Sequence, residues 1–403
     1  RPDISLARPR KWNRPLREGV LPAYDEALRV IRTDARRVRK EAAALRREVD
    51  RMHRALCNPG ELEGEARRQS EAELEKMREK LHILDVQSEV NLPEVRWSVA
   101  NAMADMSIPS HRHLVEQRWR KDGDLDLLME RIHQMHVVPD ALPVMHPSLD
   151  LHVTARLMPE HFDTLMRRNR SQRRVNTFKE VIPGNYLTPK QTRVPPKLYA
   201  NVFHTDVRLY TMIMLDLDVP DEANQTYTTF LHWLKPNIPL SATHTGRIPL
   251  LNTHTRYVPP HPQRGTPYHR YVTLLLLQPP LPGHLYTRNT EALLTAQQAR
   301  LAQTLRAAAD RGAAVEAARV DAPVVPDAAR AGFDLRAFAR AWGLNGALGG
   351  GVHMWREVWD KYVGAIYRYE LHQQQPTYGR MPKHDPQRTA HSAPTRQKYR
   401  AWT

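Results

Sequence analysis

Three side chains able to bind anions or transfer protons lie beside short apolar runs in the middle of the chain. Asp216 ends one run, His232 lies in a second, and His269 precedes a third that contains Tyr271. A carboxylate with two imidazoles can bind an anion, hold a metal or move protons, and residue type alone does not choose among these. A histidine on a strand is more often structural than a ligand. A further alternative is therefore that these residues only pack in the interior.

The elements that must position these groups are β-strands. Residues 210–215 and 271–277 are β-branched or apolar runs bounded by turn residues, which predicts strands in a sheet core. An Ala-rich, helix-favouring stretch at 291–330 predicts an insertion carried on this sheet framework. A closing helix is predicted from four positions at helical spacing, Trp355, Trp359, Tyr362 and Ile366.

A helical region is predicted before the sheet. Apolar residues alternate at spacings of three and four through Ile31, Ala35, Val38, Ala42, Leu45, Val49, Met52 and Leu56. This spacing predicts a coiled-coil-like helix, which Asn58-Pro59-Gly60 ends before a second helix follows. We therefore expect a helical hairpin over residues 24–90, followed by short helices and a Pro-rich connector over 91–150.

The charge balance indicates a polyanionic partner. The net charge is +16, from sixty Lys and Arg against forty-four Asp and Glu. Basic residues are concentrated in an extended arm (1–23), the run 167–174 and a tail (372–403). The predicted phosphate contacts are Arg8, Arg10, Lys11, Arg14, Arg36, Arg37, Arg39, Lys40, Arg167, Arg168, Arg170, Arg173, Arg174, Arg396, Lys398 and Arg400. For most hairpin arginines, a solvated face of ion pairs is an equal alternative.

Several classes of protein are disfavoured by the composition. Cys57 is the single cysteine, which excludes an internal disulfide and an all-cysteine zinc site. The longest apolar run, around residues 274–277, is far shorter than the roughly 18 residues of a membrane span. There is no nucleophile elbow and no His-Glu helix motif, so we expect no enzyme, no metal and no cofactor. The start at Arg1 leaves open whether a presequence was cleaved.

Five segments, in order, resemble the phosphatidylethanolamine-binding protein family over roughly residues 185–371. They are Leu187-Thr-Pro-Lys-Gln-Thr192, Leu209-Tyr-Thr211, Asp216-Leu-Asp-Val-Pro220, Phe230-Leu-His-Trp233 and Gly265-Thr-Pro-Tyr-His-Arg-Tyr271. The resemblance implies an α+β fold, in which an antiparallel β-sandwich with peripheral helices spans residues 151–371. To it this chain adds an α-helical N-terminal extension and a basic C-terminal tail.

The same resemblance implies a pocket for phosphate-type head groups at Asp216, His232, His269 and Tyr271. This chain departs from the family at two places. Leu231 stands where the family has the first of two adjacent histidines, and Pro259-Pro260-His261 replaces a glycine turn. Glycines let the backbone approach an anion, and proline removes an N–H donor. We therefore expect the pocket to be a vestigial anion site.

The long extension and basic termini resemble the members of this family that belong to the mitochondrial large ribosomal subunit. Segments Trp119 to Leu128 and Val138 to Pro143 carry part of that resemblance. It implies a structural, non-catalytic protein of the mitochondrial matrix, near the central protuberance. Its partners would be ribosomal RNA and neighbouring large-subunit proteins, without DNA. A phospholipid- or phosphate-binding regulatory protein that uses the sandwich pocket remains the alternative.

Overall fold

The computed structural model describes most of the chain. The described residues are 15–57, 64–156, 178–243, 246–248, 251–279, 319–379, 382–383 and 400–401. The chain divides into two compact units, residues 1–124 and 125–403. Residues 125–149 therefore belong to the same unit as the strands. The sequence pattern predicted that they form part of the short helices and Pro-rich connector over 91–150.

The first unit is built on two long helices, α1 (Pro22–Cys57) and α2 (Gly64–Gln87). Val38 and Ala42 of α1 are buried against Leu84 of α2, which places the regular apolar spacing of α1 in the seam between the helices. Two shorter helices follow, α3 (Pro93–Ala100) and α4 (Pro109–Lys121). Each begins with proline, whose missing N–H costs nothing in the first turn.

The second unit contains five helices among its described residues. They are α5 (Asp124–Gln134), which begins at the boundary between the units, α6 (Val137–Asp140), α7 (Pro189–Thr192), α8 (Leu335–Trp342) and α9 (Val363–Ile366). A π-helical turn (Tyr367–Leu371) follows α9, and short 3-10 turns occur at Leu251–Thr253, Asp327–Ala329 and Gly346–Leu348.

The strands of this unit form a sandwich of two sheets and one separate pair. They are β1 (Asp150–Arg156), β2 (Phe178–Glu180), β3 (Tyr186–Leu187), β4 (Lys197–Asn201), β5 (Arg208–Asp221), β6 (Thr226–Leu240), β7 (His269–Leu277), β8 (Gly350–Glu357), β9 (Pro382–Lys383) and β10 (Arg400–Ala401). The larger sheet has the order β3-β8-β7-β5-β6, in which only the β3–β8 pair is parallel. The smaller sheet has the order β2-β1-β4, and β9 pairs with β10.

Both faces of the five-stranded sheet are covered. One face contributes Met212, Met214 and Leu275 to the core shared with β1 and β4. The opposite face contributes Ile213 and Leu274 to a second core beneath α5, α6 and α8. Central strands covered on both faces read as continuous apolar runs, which is why residues 271–277 show no polar alternation.

The predicted closing helix from Trp355 is wrong in its first part. Trp355 lies in β8, where it is paired with Tyr271 of β7, and the helix begins only at Val363. Gly350 at the start of β8 has φ of +134°, and a Cβ there would lie 2.3 Å from the Leu275 carbonyl oxygen. Only glycine lets this strand approach β7 so closely, and that long-range pairing overrides the helical spacing.

Residues 319–330, at the end of the predicted insertion, are part of the sandwich. Val320 and Ala322 are buried, and their carbonyls accept hydrogen bonds from Asn237 and His254. Arg330 is 1% exposed and donates to the carbonyls of Leu231 and His232. Residues 291–318 of the predicted insertion lie outside the described residues.

Candidate functional site

The four residues of the predicted pocket meet at one end of the five-stranded sheet. Asp216 of β5 is paired with Tyr271 of β7 on one side and with Phe230 of β6 on the other. Irregularities in the β5–β6 register occur on both sides of Asp216. Such bulges re-aim side chains, and here they accompany the turn of the Asp216 carboxylate toward its own backbone, where Oδ1 accepts from the Asp218 N–H at 2.9 Å.

Asp216 and His269 form the polar centre of the site. His269 Nδ1 lies 2.7 Å from Asp216 Oδ2, and Nε2 lies 2.8 Å from the Thr266 hydroxyl. Thr266 donates that hydroxyl proton to the Gln263 carbonyl, so both imidazole nitrogens face oxygen atoms that can accept a hydrogen bond. Burial raises the pKa of Asp216, but the charge and hydrogen bond of His269 outweigh it and the net pKa is lowered. The two side chains form a buried pair within ion-pair distance.

His232 is a neutral residue of the site. Burial, with His261 nearby, lowers its pKa to about 3. Its Nδ1 donates to the Val258 carbonyl at 2.8 Å, while Nε2 is buried with no partner among the described residues. His261 lies 5.1 Å away, centroid to centroid, and burial lowers its pKa as well. Two neutral imidazoles offer an anion far less attraction than charged ones would.

The site is closed to solvent. Exposure is 2% for Asp216, 0% for His232 and Tyr271, 1% for His269 and 4% for His261. Tyr367, in the π-helical turn, covers His261 with its ring perpendicular at 5.3 Å. Because each polar group is buried, a head group could enter only after the covering residues moved.

The segment after the π-helical turn also packs on the loop that carries the site. The Tyr378 N–H donates to the Arg264 carbonyl at 2.8 Å, and residues 264 and 377 form a parallel bridge. Gly265 has φ of +94°, and a Cβ there would lie 2.1 Å from the Tyr378 carbonyl oxygen. The predicted vestigial pocket is therefore a filled and covered interior in this structure.

Glu357 is a buried acid beside the site that the sequence reading missed. It is 0% exposed, and its carboxyl accepts from Trp355 Nε1 at 2.8 Å and Thr192 Oγ1 at 3.1 Å. Burial raises its pKa to about 8, despite those donors, and Asp216 adds to the rise. Glu357 is paired with His269 across β7 and β8, so only the strand register could have placed it here.

The predicted phosphate-contact residues fall into two groups. Arg36, Arg37, Arg39 and Lys40 lie in α1 and are exposed. Arg37 contacts Asp34 at 2.7 Å and Arg39 contacts Glu89 at 3.2 Å. The others lie outside the described residues, except for the backbone of Arg400 in β10: Arg8, Arg10, Lys11, Arg14, Arg167, Arg168, Arg170, Arg173, Arg174, Arg396 and Lys398.

The described residues were compared with the requirements of a metal-ligand cluster and of a membrane-spanning helix. They contain no group of three or more His, Cys, Asp or Glu side chains placed to hold a metal ion. No helix within them is both long and apolar enough to cross a membrane.

Comparison with protein families identifies the fold. Residues 177–321 match the phosphatidylethanolamine-binding protein family model. With the sandwich described above, this confirms the predicted fold class: the chain carries a phosphatidylethanolamine-binding-protein-like domain. A solved phosphatidylethanolamine-binding protein of Plasmodium falciparum aligns over 57% of this chain and 96% of its own, at 13% identity and a TM-score of 0.30. That low score adds nothing to the assignment.

One individual relative is a ribosomal protein, and another is not. The chain is 29% identical over 257 residues to large ribosomal subunit protein mL38 of Schizosaccharomyces pombe, covering 64% of this chain and 70% of that protein. It is 34% identical over 101 residues to Protein FLOWERING LOCUS T of Arabidopsis thaliana, covering 25% of this chain and 53% of that protein. The predicted resemblance to the ribosomal members is confirmed by the first of these matches.

Proposed function

We propose that this protein is a structural constituent of the mitochondrial large ribosomal subunit. It binds ribosomal RNA through phosphate contacts and docks on neighbouring large-subunit proteins near the central protuberance. Its place is the mitochondrial matrix, in keeping with its similarity to mL38, a mitochondrial ribosomal protein. It acts without catalysis, and the sandwich serves as a scaffold.

The observation that carries the proposal is the length of the match to mL38. That match extends over 257 residues, whereas the family model matches only residues 177–321. The similarity to the ribosomal protein therefore includes sequence outside the segment shared with the whole family. A sandwich that only bound head groups would have no need of the two long helices that precede it.

The charge of the chain supports RNA as a partner. A net charge of +16 is an excess of cations for which a polyanion supplies the counter-charge. RNA duplexes are recognised mainly through their backbone and shape, so such contacts need no sequence motif.

The closed site favours the ribosomal proposal over a phospholipid- or phosphate-binding regulator. A regulator of that kind needs an open pocket with charge to attract the head group. Here His232 and His261 are buried with lowered pKa values, and His269 is already paired with Asp216. The retained Asp216–His269 pair holds strands and loop together instead.

Sedimentation of mitochondrial lysate through sucrose gradients tests the proposal. The chain should co-migrate with large subunits at moderate salt and leave them only as high salt weakens phosphate contacts. A chain found only in the soluble top fractions at moderate salt would overturn the proposal. In that case saturable binding of phosphoethanolamine, lost in His269→Ala, would establish the regulator instead.

A further inference from the structure

The outer face of α1 carries a continuous line of basic side chains, here called the outer line. Its members follow one another at spacings of four, seven, four and three residues, and all are exposed: Arg36, Lys40, Arg47, Arg51 and Arg54. At 3.6 residues per turn these positions fall within an arc of about 60°. The buried residues Ala35, Val38, Ala42 and Val49 lie on the opposite side, where α1 packs within its own unit.

Acidic residues are excluded from the outer line. Between residues 36 and 54, α1 has three acids, Glu41, Glu48 and Asp50, and helical geometry places each of them outside the 60° arc, by about 40° or more. Glu41 instead contacts Lys80 of α2. Within the described part of the chain, no member of the outer line lies within 4.0 Å of a carboxylate oxygen.

The arginines that flank the outer line are paired. Arg32 contacts Glu18, Arg37 contacts Asp34 at 2.7 Å, and Arg46 contacts Asp85 at 2.8 Å. By contrast, the hydrogen bonds of Arg47 and Arg54 within the described part of the chain are to the Ala43 and Asp50 carbonyls of their own helix. Among the described residues, the flanking arginines are thus ion-paired, and the five members of the outer line have no ion pair along about 27 Å of helix.

We propose that the outer line binds the sugar–phosphate backbone of a helical RNA segment. The inference rests on the proposed ribosomal function and adds the surface and the form of RNA to it. Like charges one turn apart repel each other, so the line lowers its energy when phosphates lie along it. Arginine side chains suit this role because the planar guanidinium can bind phosphate oxygens through two N–H groups.

The residue types of the outer line favour the backbone of a helical RNA over the unstacked bases of a single-stranded RNA. Recognition of single-stranded RNA uses aromatic side chains on which bases stack. Residues 36–54 contain no Phe, Tyr or Trp, and His53 lies off the line. A rigid rod with cations on one side can follow a row of phosphates, which is the contact that helical RNA offers.

A charge-matched pair of variants tests the proposal in the full chain. The line variant carries Arg36→Gln, Lys40→Gln, Arg47→Gln, Arg51→Gln and Arg54→Gln. The control variant carries Arg32→Gln, Arg46→Gln, Arg67→Gln, Arg78→Gln and Arg118→Gln, which removes five ion-paired cations instead. Both variants change the net charge equally, and circular dichroism checks that the helices persist.

The probe is a mixed-sequence RNA duplex, titrated at several salt concentrations. Each lost phosphate contact lowers the slope of log K against log salt by about one, so the line variant should lose about four to five. At 0.1 M salt its affinity should fall about a hundredfold or more, while the control changes by less than tenfold. Equal losses in both variants, or an unchanged slope in the line variant, would overturn the proposal.

Two further measurements distinguish a failure of the proposed RNA-binding surface from a failure of the proposed ribosomal function. If the line variant loses binding to anionic phospholipid vesicles but keeps its slope on RNA, the surface is a membrane contact and the proposal is overturned. Co-migration of the wild-type chain with large subunits tests the ribosomal function independently. Loss of duplex binding in the line variant would uphold the surface even if the wild-type chain failed to co-migrate.

Discussion

Asp216 and His269 form an ion pair of 2.7 Å at 2% and 1% exposure, and it joins β5 to the start of β7. The pair has the residue types expected of an anion site, but the two side chains contact each other. The structural consequence is that removing either partner leaves the other charge buried and alone. Such a loss costs about 3–5 kcal/mol, more than the pair itself contributes.

His269→Leu should therefore destabilise the protein by about 3–5 kcal/mol at pH 7. The double variant Asp216→Asn with His269→Leu should lose less than the single one, because no charge is left unpaired. Urea denaturation of both variants measures the difference. A double variant less stable than His269→Leu would show that the buried charge is not the cause.

The fold and the site differ in how far local sequence could predict them. The sandwich was predictable because its strands carry family segments and apolar runs, and α1 because its spacing of three and four persists for eight positions. Trp355 was misread because Gly350 and the pairing with β7 act over long range. The spacing of four, three and four from Trp355 to Ile366 fits a helix, and only the pairing with Tyr271 places Trp355 in a strand.

Closure of the site could not be predicted for a related reason. It depends on Tyr367 covering His261 and on Tyr378 pairing with Arg264, contacts about a hundred residues apart along the chain. The contact of Arg330 with the Leu231 carbonyl was not predicted, because Arg330 lies in a stretch that was interpreted as an insertion. The outer line, in contrast, was within reach of the sequence, since a helical projection of α1 separates Arg36 and Lys40 from Arg37 and Arg39.

Glu357 should make the protein less stable as the pH rises. Its pKa of about 8 lies above the ordinary 4.5, so the folded state keeps a proton that the unfolded chain releases. Stability therefore falls between those two pH values and levels off above pH 8. Glu357→Gln keeps the shape without the charge, and should be more stable than wild type at pH 9 by on the order of 2–5 kcal/mol.

The same variant should differ little from wild type near pH 4, where Glu357 is protonated in both states. Thermal unfolding at pH 4, 6 and 9 measures the effect. Glu370→Gln, at a side chain 41% exposed, is the matched control and should show no such trend. A constant difference between Glu357→Gln and wild type at all three pH values would contradict the assignment.

His152 should also make the protein less stable as the pH rises, but through the loss of a favourable interaction. Burial lowers its pKa, but hydrogen bonds and charge from Asp150 and Glu180 outweigh burial and raise it to about 9. Nε2 lies 2.6 Å from Asp150 Oδ2, and Nδ1 contacts Glu180. Because the folded pKa exceeds the ordinary 6.5, this stabilisation is complete below pH 6.5 and is lost as pH rises through 9.

His152→Gln should thus cost about 1–2 kcal/mol at pH 6, a value reduced for the partial exposure of the site. The difference from wild type should vanish near pH 10. Chemical denaturation at these two pH values measures it, with the exposed His146→Gln as control. A loss that is the same at pH 10 would assign the effect to packing rather than to charge.

Gly265 tests whether the C-terminal segment holds the site closed. A Cβ at residue 265 would meet the backbone of Tyr378, at 2.1 Å from the oxygen and 2.8 Å from the carbonyl carbon, and φ of +94° strains any other residue. Gly265→Ala should therefore cost about 1–3 kcal/mol and release the segment from the loop. Limited proteolysis should then cut between residues 372 and 379 faster than in wild type.

Gly379→Ala provides the matched control, because a Cβ at residue 379 meets nothing within 4 Å. It should leave both stability and cleavage unchanged. If Gly265→Ala also gained saturable binding of phosphoethanolamine, the Asp216–His269 site would be a working anion pocket held shut by its own chain. If it gained none while cleavage increased, the pair is structural, since even an uncovered site offers a head group no free charge.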